Sequence, residues 1–349
     1  MVRVALKSFA LVTILFAASI FSHSQNNPSA GVQQALAWLP PDTQTVIAAD
    51  LERGPAVTVN QLFRAKQNDT NPQLATKELW EQFTGLPLRL FQTKGGAVAD
   101  MFTGQRIVWA LEGSRQFRAP SGLGEMPFEG CEIAMFANDI SSGRRKFLSS
   151  AKSFGMATEQ IEGQAVSSYP EKKEDDTWTI YVAFPRPKMV LLATNRDYLQ
   201  QVLARMKQPG ATSALPSSLP EWKYVNTGNP FWAVRHFDKG QSSGDPTSPF
   251  GGKRLANVQD DQAVGVTFNF DPSKGSTATV TFLSGDPAIS QKLKAFIPSG
   301  EEEGPKEWNV SFRDLAAGVA EASFQLPRQE GVSRFILFLQ ALLGHATYW

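Results

Sequence analysis

The chain has 349 residues, with 34 Lys and Arg against 33 Asp and Glu, and one cysteine. So even a balance gives the chain as a whole no electrostatic reason to bind nucleic acid or an anionic membrane. A single cysteine excludes an intramolecular disulfide, which leaves burial as the source of stability, and the 22 prolines and 27 glycines favour many short elements over long helices.

At the amino terminus, Arg3 and Lys7 precede an uncharged, mostly apolar run from Phe9 to Phe21. Ser22-His23-Ser24 then offers small residues where a signal peptidase reads. The run of 13 residues falls short of the roughly 20 that cross a bilayer as a helix. A cleaved signal peptide over residues 1–24 is expected, with an uncleaved anchor as the alternative. No cysteine follows to carry a lipid. The mature chain keeps 349 − 24 = 325 residues, enough for about two domains, and is expected outside the cytoplasm, periplasmic or extracellular, with no transmembrane span.

Asn27-Pro28-Ser29 starts a short helix through Leu36 that ends before Pro40-Pro41, and Val46 to Leu51 reads as a first, largely buried strand. Asn71-Pro72 is a cap and first-position pair for a helix that turns Leu79, Trp80 and Phe83 inward and ends at Gly85. Ile107 to Leu111 is a second strand, and Gly113 to Glu129 has the composition of a long loop. Cys131 to Phe136 is a third strand, in which Cys131 reads as a small buried hydrophobe rather than a reactive thiol. Ser141 or Ser142 caps a helix with Phe147, Leu148 and Ala151 inward and Arg144, Arg145 and Lys146 in solvent. Ile161 to Tyr169 reads as one strand, and Glu171 to Asp176 as a solvated turn.

Between Trp178 and Met206 the pattern is clearest. Trp178, Ile180, Val182 and Phe184 alternate with Thr179, Tyr181 and Ala183, and a second strand follows Pro185-Arg186-Pro187. Leu199, Val202, Leu203 and Met206 then share one helical face, behind a Thr194-to-Asp197 pair at capping-box spacing. Trp178 and Leu199 are expected in the core. Similar units begin at Val264 and Trp308, at irregular offsets of 86 and 44 residues. The expected fold is therefore α+β, with antiparallel sheets built from repeated strand-hairpin-helix units and helices packed mainly on one face. Residues 25–209 are expected to form an N-terminal α+β domain, 210–220 a linker, and 221–349 a C-terminal α+β domain holding the two further units. The polar run 238–262 reads as a functional or disordered loop. The last helix, 332–343, is apolar all round; it is either buried or set against a protein partner or a membrane surface.

Little of this carries chemistry. Ser149 and Lys152 match the S-x-x-K spacing in which a helical turn brings a lysine amine toward a serine, but neither S-D-N nor K-T-G follows. His236 and His345 have no second His or Cys at ligand spacing, and Asp260-Asp261 and Glu301-Glu302-Glu303 do not alternate as calcium ligands do. His236 reads as structural. No catalytic, cofactor-binding or metal residue is expected, and no cofactor or nucleic-acid partner.

Several segments together resemble a loose group of exported, uncharacterised α+β proteins of environmental bacteria. They are Leu39-Pro40-Pro41-Asp42-Thr43 leading into Val46 to Leu51, the WEQFTGLP of Trp80 to Pro87, Glu132 to Pro170 with its EGQAVSSYP, and the VLLATNRDYLQQVL of Val190 to Leu203. The resemblance spans roughly residues 39–207 and departs in lacking a glycine near Thr194. It implies export and an α+β fold and carries over no functional residue. The expected function is an exported non-catalytic binding or scaffolding protein of the bacterial envelope; the alternative is a serine hydrolase using Ser149 and Lys152.

Overall fold

A computed structural model describes residues 27–62, 72–116, 128–173, 176–208, 219–237, 263–296 and 309–325, with 335, 336, 338, 339, 342 and 343. The segment expected to be a signal peptide, the loop 238–262, most of the expected linker, and Asp260, Asp261, Glu301, Glu302, Glu303 and His345 lie outside these residues.

Among the described residues, thirteen strands form one antiparallel sheet. The first eight are β1 (Thr45–Asp50), β2 (Val57–Thr58), β3 (Arg106–Gln116), β4 (Phe128–Phe136), β5 (Ala157–Ile161), β6 (Gln164–Lys173), β7 (Asp176–Arg186) and β8 (Met189–Ala193). The others are β9 (Phe231–His236), β10 (Ala263–Phe270), β11 (Thr277–Ser284), β12 (Asn309–Ala316) and β13 (Val319–Gln325). Across the sheet they stand in the order β12-β13-β11-β10-β9-β1-β3-β4-β8-β7-β6-β5, with β2 on the flank of β3. β1 lies near the middle. It pairs with β3 on one side and β9 on the other, and all six of its residues are buried.

This corrects the expected architecture. The hairpins do not form separate repeated units with their own helices: β10 and β11 join β9, β13 inserts beside β11, and the ladder runs unbroken past the position of the expected linker. The reason is the open edge. Each hairpin leaves unpaired N–H and C=O groups along both flanks, and one shared sheet satisfies them where separate sheets would leave more edges exposed.

Helices cover both faces, most of them the same one, but they are short and are not packed one to each hairpin. Besides a single helical turn at Val59–Leu62, the described helices include, in chain order, α1 (Ala30–Leu36), α2 (Pro72–Gly85), α3 (Ala97–Met101), α4 (Ser141–Ser149), α5 (Ala151–Phe154), α6 (Arg196–Met206) and α7 (Ile289–Phe296). Two apolar cores flank the sheet. The first takes Ile47, Ala49, Phe83, Phe147, Phe268, Leu293 and the buried Phe335, Ile336, Phe338, Leu339, Leu342 and Leu343. The second takes Val32, Val46, Ala48, Leu111, Cys131, Leu191, Tyr198, Leu199 and Trp232, under α1 and α6. Strands near the centre are apolar on both faces, as the near-continuous run of β8 shows.

Local expectations shift where turn chemistry was overlooked. Glu162 and Gly163 both take positive φ, +50° and +71°, the pattern of a two-residue type I′ turn, so Ile161 closes β5 and the residues after Gly163 return as β6. The cap of α6 is Asn195, whose side chain accepts the Tyr198 N–H at 2.9 Å. Leu199 is fully buried, whereas Trp178 is half-buried against the first core. Leu148, expected inward, is 42% exposed because Gly143 and Phe147 already fill the inner face of α4.

Candidate functional site

Gly85 does not stop the chain's helical path. A 3₁₀ helix, Leu86–Gln92, continues from it with Pro87 in the first turn, where a missing N–H costs nothing. Leu86, Leu88, Leu90 and Phe91 are all buried, and so is Arg89 in their midst. A charged side chain there needs a partner. It has one in Glu112 of β3, whose two carboxylate oxygens lie 3.3 and 3.1 Å from Arg89 Nη2.

Directly across the ladder from Glu112 stands Glu132 of β4. Both side chains are completely buried. Glu132 accepts the Leu90 backbone N–H at 2.9 Å on each oxygen. Burial first, and then the neighbouring Glu112 charge, holds the Glu132 carboxyl well above the usual carboxylate range; Arg89 and the backbone N–H groups of Leu90 and Arg89 pull the other way without overcoming it. Two neighbouring buried carboxyls beside one guanidinium titrate as a coupled set, and burial favours the protonated form of Glu132.

The same segment is fastened twice more. Thr93 donates through Oγ1 to the Leu90 carbonyl at 2.7 Å, and its hydroxyl lies 2.6 Å from the Tyr169 hydroxyl of β6. Burial pushes the Tyr169 phenol up, so it stays neutral. Beyond it, Glu171 accepts the Lys94 N–H at 3.0 Å on both oxygens, with Lys94 at positive φ. Glutamates on β3, β4 and β6 thus hold one segment, 86–94, down across the sheet.

A further buried carboxylate is Glu221, in the 3₁₀ turn Pro220–Lys223. Its Oε1 lies 2.6 Å from His236 Nδ1 at the end of β9, and its Oε2 has no hydrogen-bond partner among the described residues. Gly265, opposite His236 on β10, makes room: a Cβ there would overlap the Glu221 carboxylate and the Arg235 carbonyl. A carboxylate on Nδ1 fixes the tautomer and the orientation of the ring. Here it also ties the turn to β9 and β10.

Of the residues singled out from sequence, Ser149 and Lys152 are exposed at the junction of α4 and α5, and the Ser149 hydroxyl donates to the Lys146 carbonyl at 2.7 Å. Cys131 is buried in the second core, where burial raises its thiol well above its ordinary range. Among the described residues, no group of three or more His, Cys, Asp or Glu could hold a metal ion, and no helix is long and apolar enough to cross a membrane. Sequence reading missed Arg89, Glu112 and Glu132. The signal for them was present: Arg89 interrupts the apolar run LPLRLF, and both glutamates sit on strands whose neighbours are apolar. Comparison of the chain with protein families, with curated proteins and with solved structures finds no match.

Proposed function

We propose that the protein is an exported, non-catalytic binding or scaffolding protein of the bacterial envelope. The observation that carries the reading is the sealing of a strongly perturbed carboxyl: Glu132, with Glu112, is fully buried beneath the 86–92 helix. An acid or base must reach its substrate's proton directly or through one water. Among the described residues, the Arg89 guanidinium meets Glu112 and the Leu90 backbone N–H meets Glu132, which is what a fastening does. The exposure of Ser149 and the engagement of its hydroxyl with a backbone carbonyl support the same reading, since an acylating serine needs its proton taken by a base. The charged, apolar and small-residue succession of residues 1–24 supports export.

The test is exposure of the purified protein to a serine-reactive fluorophosphonate, followed by peptide mass analysis. No adduct is expected. An adduct on Ser149 that disappears in Lys152→Ala establishes the hydrolase instead. Intact mass of the chain recovered from an exporting host tests the other half: loss of residues 1–24 is expected, and a full-length chain retained in the cytoplasm contradicts export.

A further inference from the structure

Whole-chain charge near zero conceals one local excess. From Ser141 to Gly155 the sequence contains Arg144, Arg145, Lys146 and Lys152 and no acidic residue. All four are exposed, and none forms an ion pair with a described carboxylate. On α4, Gly143 and Phe147 mark the buried face. At 100° per residue, Arg145, Leu148 and Ser149 point the opposite way, with Arg144 and Lys146 on the flanks. Lys152 follows in α5. Lys188, exposed in the β7–β8 turn, lies beside the start of α4, where its Nζ donates to the Ala137 carbonyl at 2.8 Å.

Of the acidic residues on the adjoining elements, Glu171 of β6 and Glu159 of β5 are paired with Lys94 and Arg196, which leaves Asp139 and Asp100. Asp139 accepts both the backbone N–H and the hydroxyl of Ser141, and it titrates below its ordinary range, first through those hydrogen bonds and then through the fields of Arg145 and Lys188. Asp100, on α3, makes no ion pair with the patch. The positive potential therefore stands largely uncompensated. Within it sits Leu148, the one large hydrophobic side chain exposed among the described residues.

We propose that the α4–α5 face is a peripheral docking surface for an anionic phospholipid bilayer. The ring of cations matches lipid phosphates, and Leu148 reaches the boundary between headgroups and acyl chains. A nucleic acid or acidic polysaccharide would use the charges and leave the leucine in water. This inference goes beyond the binding function proposed above and does not depend on it, because it needs only the exposed helix face.

The experiment is sedimentation of the full chain with vesicles of phosphatidylglycerol in phosphatidylcholine, against phosphatidylcholine alone. Binding to the anionic vesicles at low salt is expected, weakening at least tenfold by roughly 0.3 M salt as the Debye length shortens. Each cation contributes on the order of fivefold near such a surface. Arg145→Gln/Lys146→Gln/Lys152→Gln is therefore expected to lose about a hundredfold, while Leu148→Ser loses a few-fold at every salt concentration. The substituted side chains are exposed, and an unchanged circular dichroism spectrum checks the fold. Should the triple variant misfold, the salt series and Leu148→Ser still decide. Equal binding to neutral and anionic vesicles, no binding to either, or retention on heparin without vesicle binding overturns the proposal.

Discussion

Replacing Arg89 by methionine tests the central cluster most sharply. The Arg89 side chain is 5% exposed and Glu112 0%, and their closest N···O approach is 3.1 Å. Methionine roughly keeps the apolar stem and removes the guanidinium that faces Glu112. Removing one partner of a buried pair costs about 3–5 kcal/mol, because the remaining charge stays desolvated. Arg313→Met supplies the contrast: the Arg313–Glu321 pair approaches even closer, at 2.9 Å, but Arg313 is 69% exposed, and its loss is expected to cost less than about 1 kcal/mol. Urea unfolding followed by tryptophan fluorescence measures both. Without Arg89, both carboxyls must hold protons to stay buried. An acid whose folded pKa is raised is most stabilising below its unfolded pKa, and that contribution is lost as pH rises. The Arg89→Met deficit should therefore be smallest near pH 4–5 and grow toward pH 8. A deficit below about 1 kcal/mol, or one that shrinks as pH rises, refutes the reasoning.

Glu132→Gln replaces a carboxyl whose pKa the fold raises with a neutral isostere. It should cost about 1 kcal/mol near pH 5, where one acceptor for the Leu90 N–H is lost, and less toward pH 8, as the wild type loses stability through its raised Glu132 pKa. Denaturant titrations at the two pH values measure this, and a gap that widens with pH contradicts it. Arg235 is buried, donates to the Leu342 carbonyl at 2.8 Å, and stacks over Phe237 at 4.6 Å; burial pushes its pKa down to about 10. Arg235→Met should cost about 1–2 kcal/mol and speed amide exchange around residues 335–343, and unchanged protection there argues against an anchoring role. Expressed alone, residues 25–209 lack β9, which leaves the fully buried β1 as an open edge. That fragment should aggregate or stay unfolded, and a cooperative thermal transition from soluble monomer counts against the single-sheet account.

The sequence made local elements legible and left their assembly hidden. Alternation from Trp178 to Phe184 and the apolar run of β8 were readable because strand period and helix period are local properties. The partners of those strands were not. Nothing near Val46 or Trp232 in sequence indicates that β1 and β9 lie side by side, because that register is chosen by burial on two faces at once. The apparent repeat at Val264 and Trp308 was real as hairpins and misleading as architecture, since the alternation of a hairpin does not say which neighbour takes its edge. The fastening of segment 86–94 stayed hidden for a related reason: Arg89 meets Glu112 and Leu90 meets Glu132 across 23 and 42 residues of chain. Leu148 was misplaced because only the packing of Gly143 and Phe147 decides which side of α4 faces inward.

The claim that Glu112 and Glu132 serve the fold rather than a reaction is tested most directly by carboxyl labelling. A water-soluble carbodiimide with glycinamide modifies accessible, protonated carboxyls, so an open Glu132 with its raised pKa should react faster than ordinary surface glutamates. In the native protein near pH 6, partly exposed Glu129 should be labelled, and Glu112 and Glu132 should not be until denaturant is added. Rapid native labelling of Glu132, ahead of Glu129, would contradict it and mark the pair as an open acidic site.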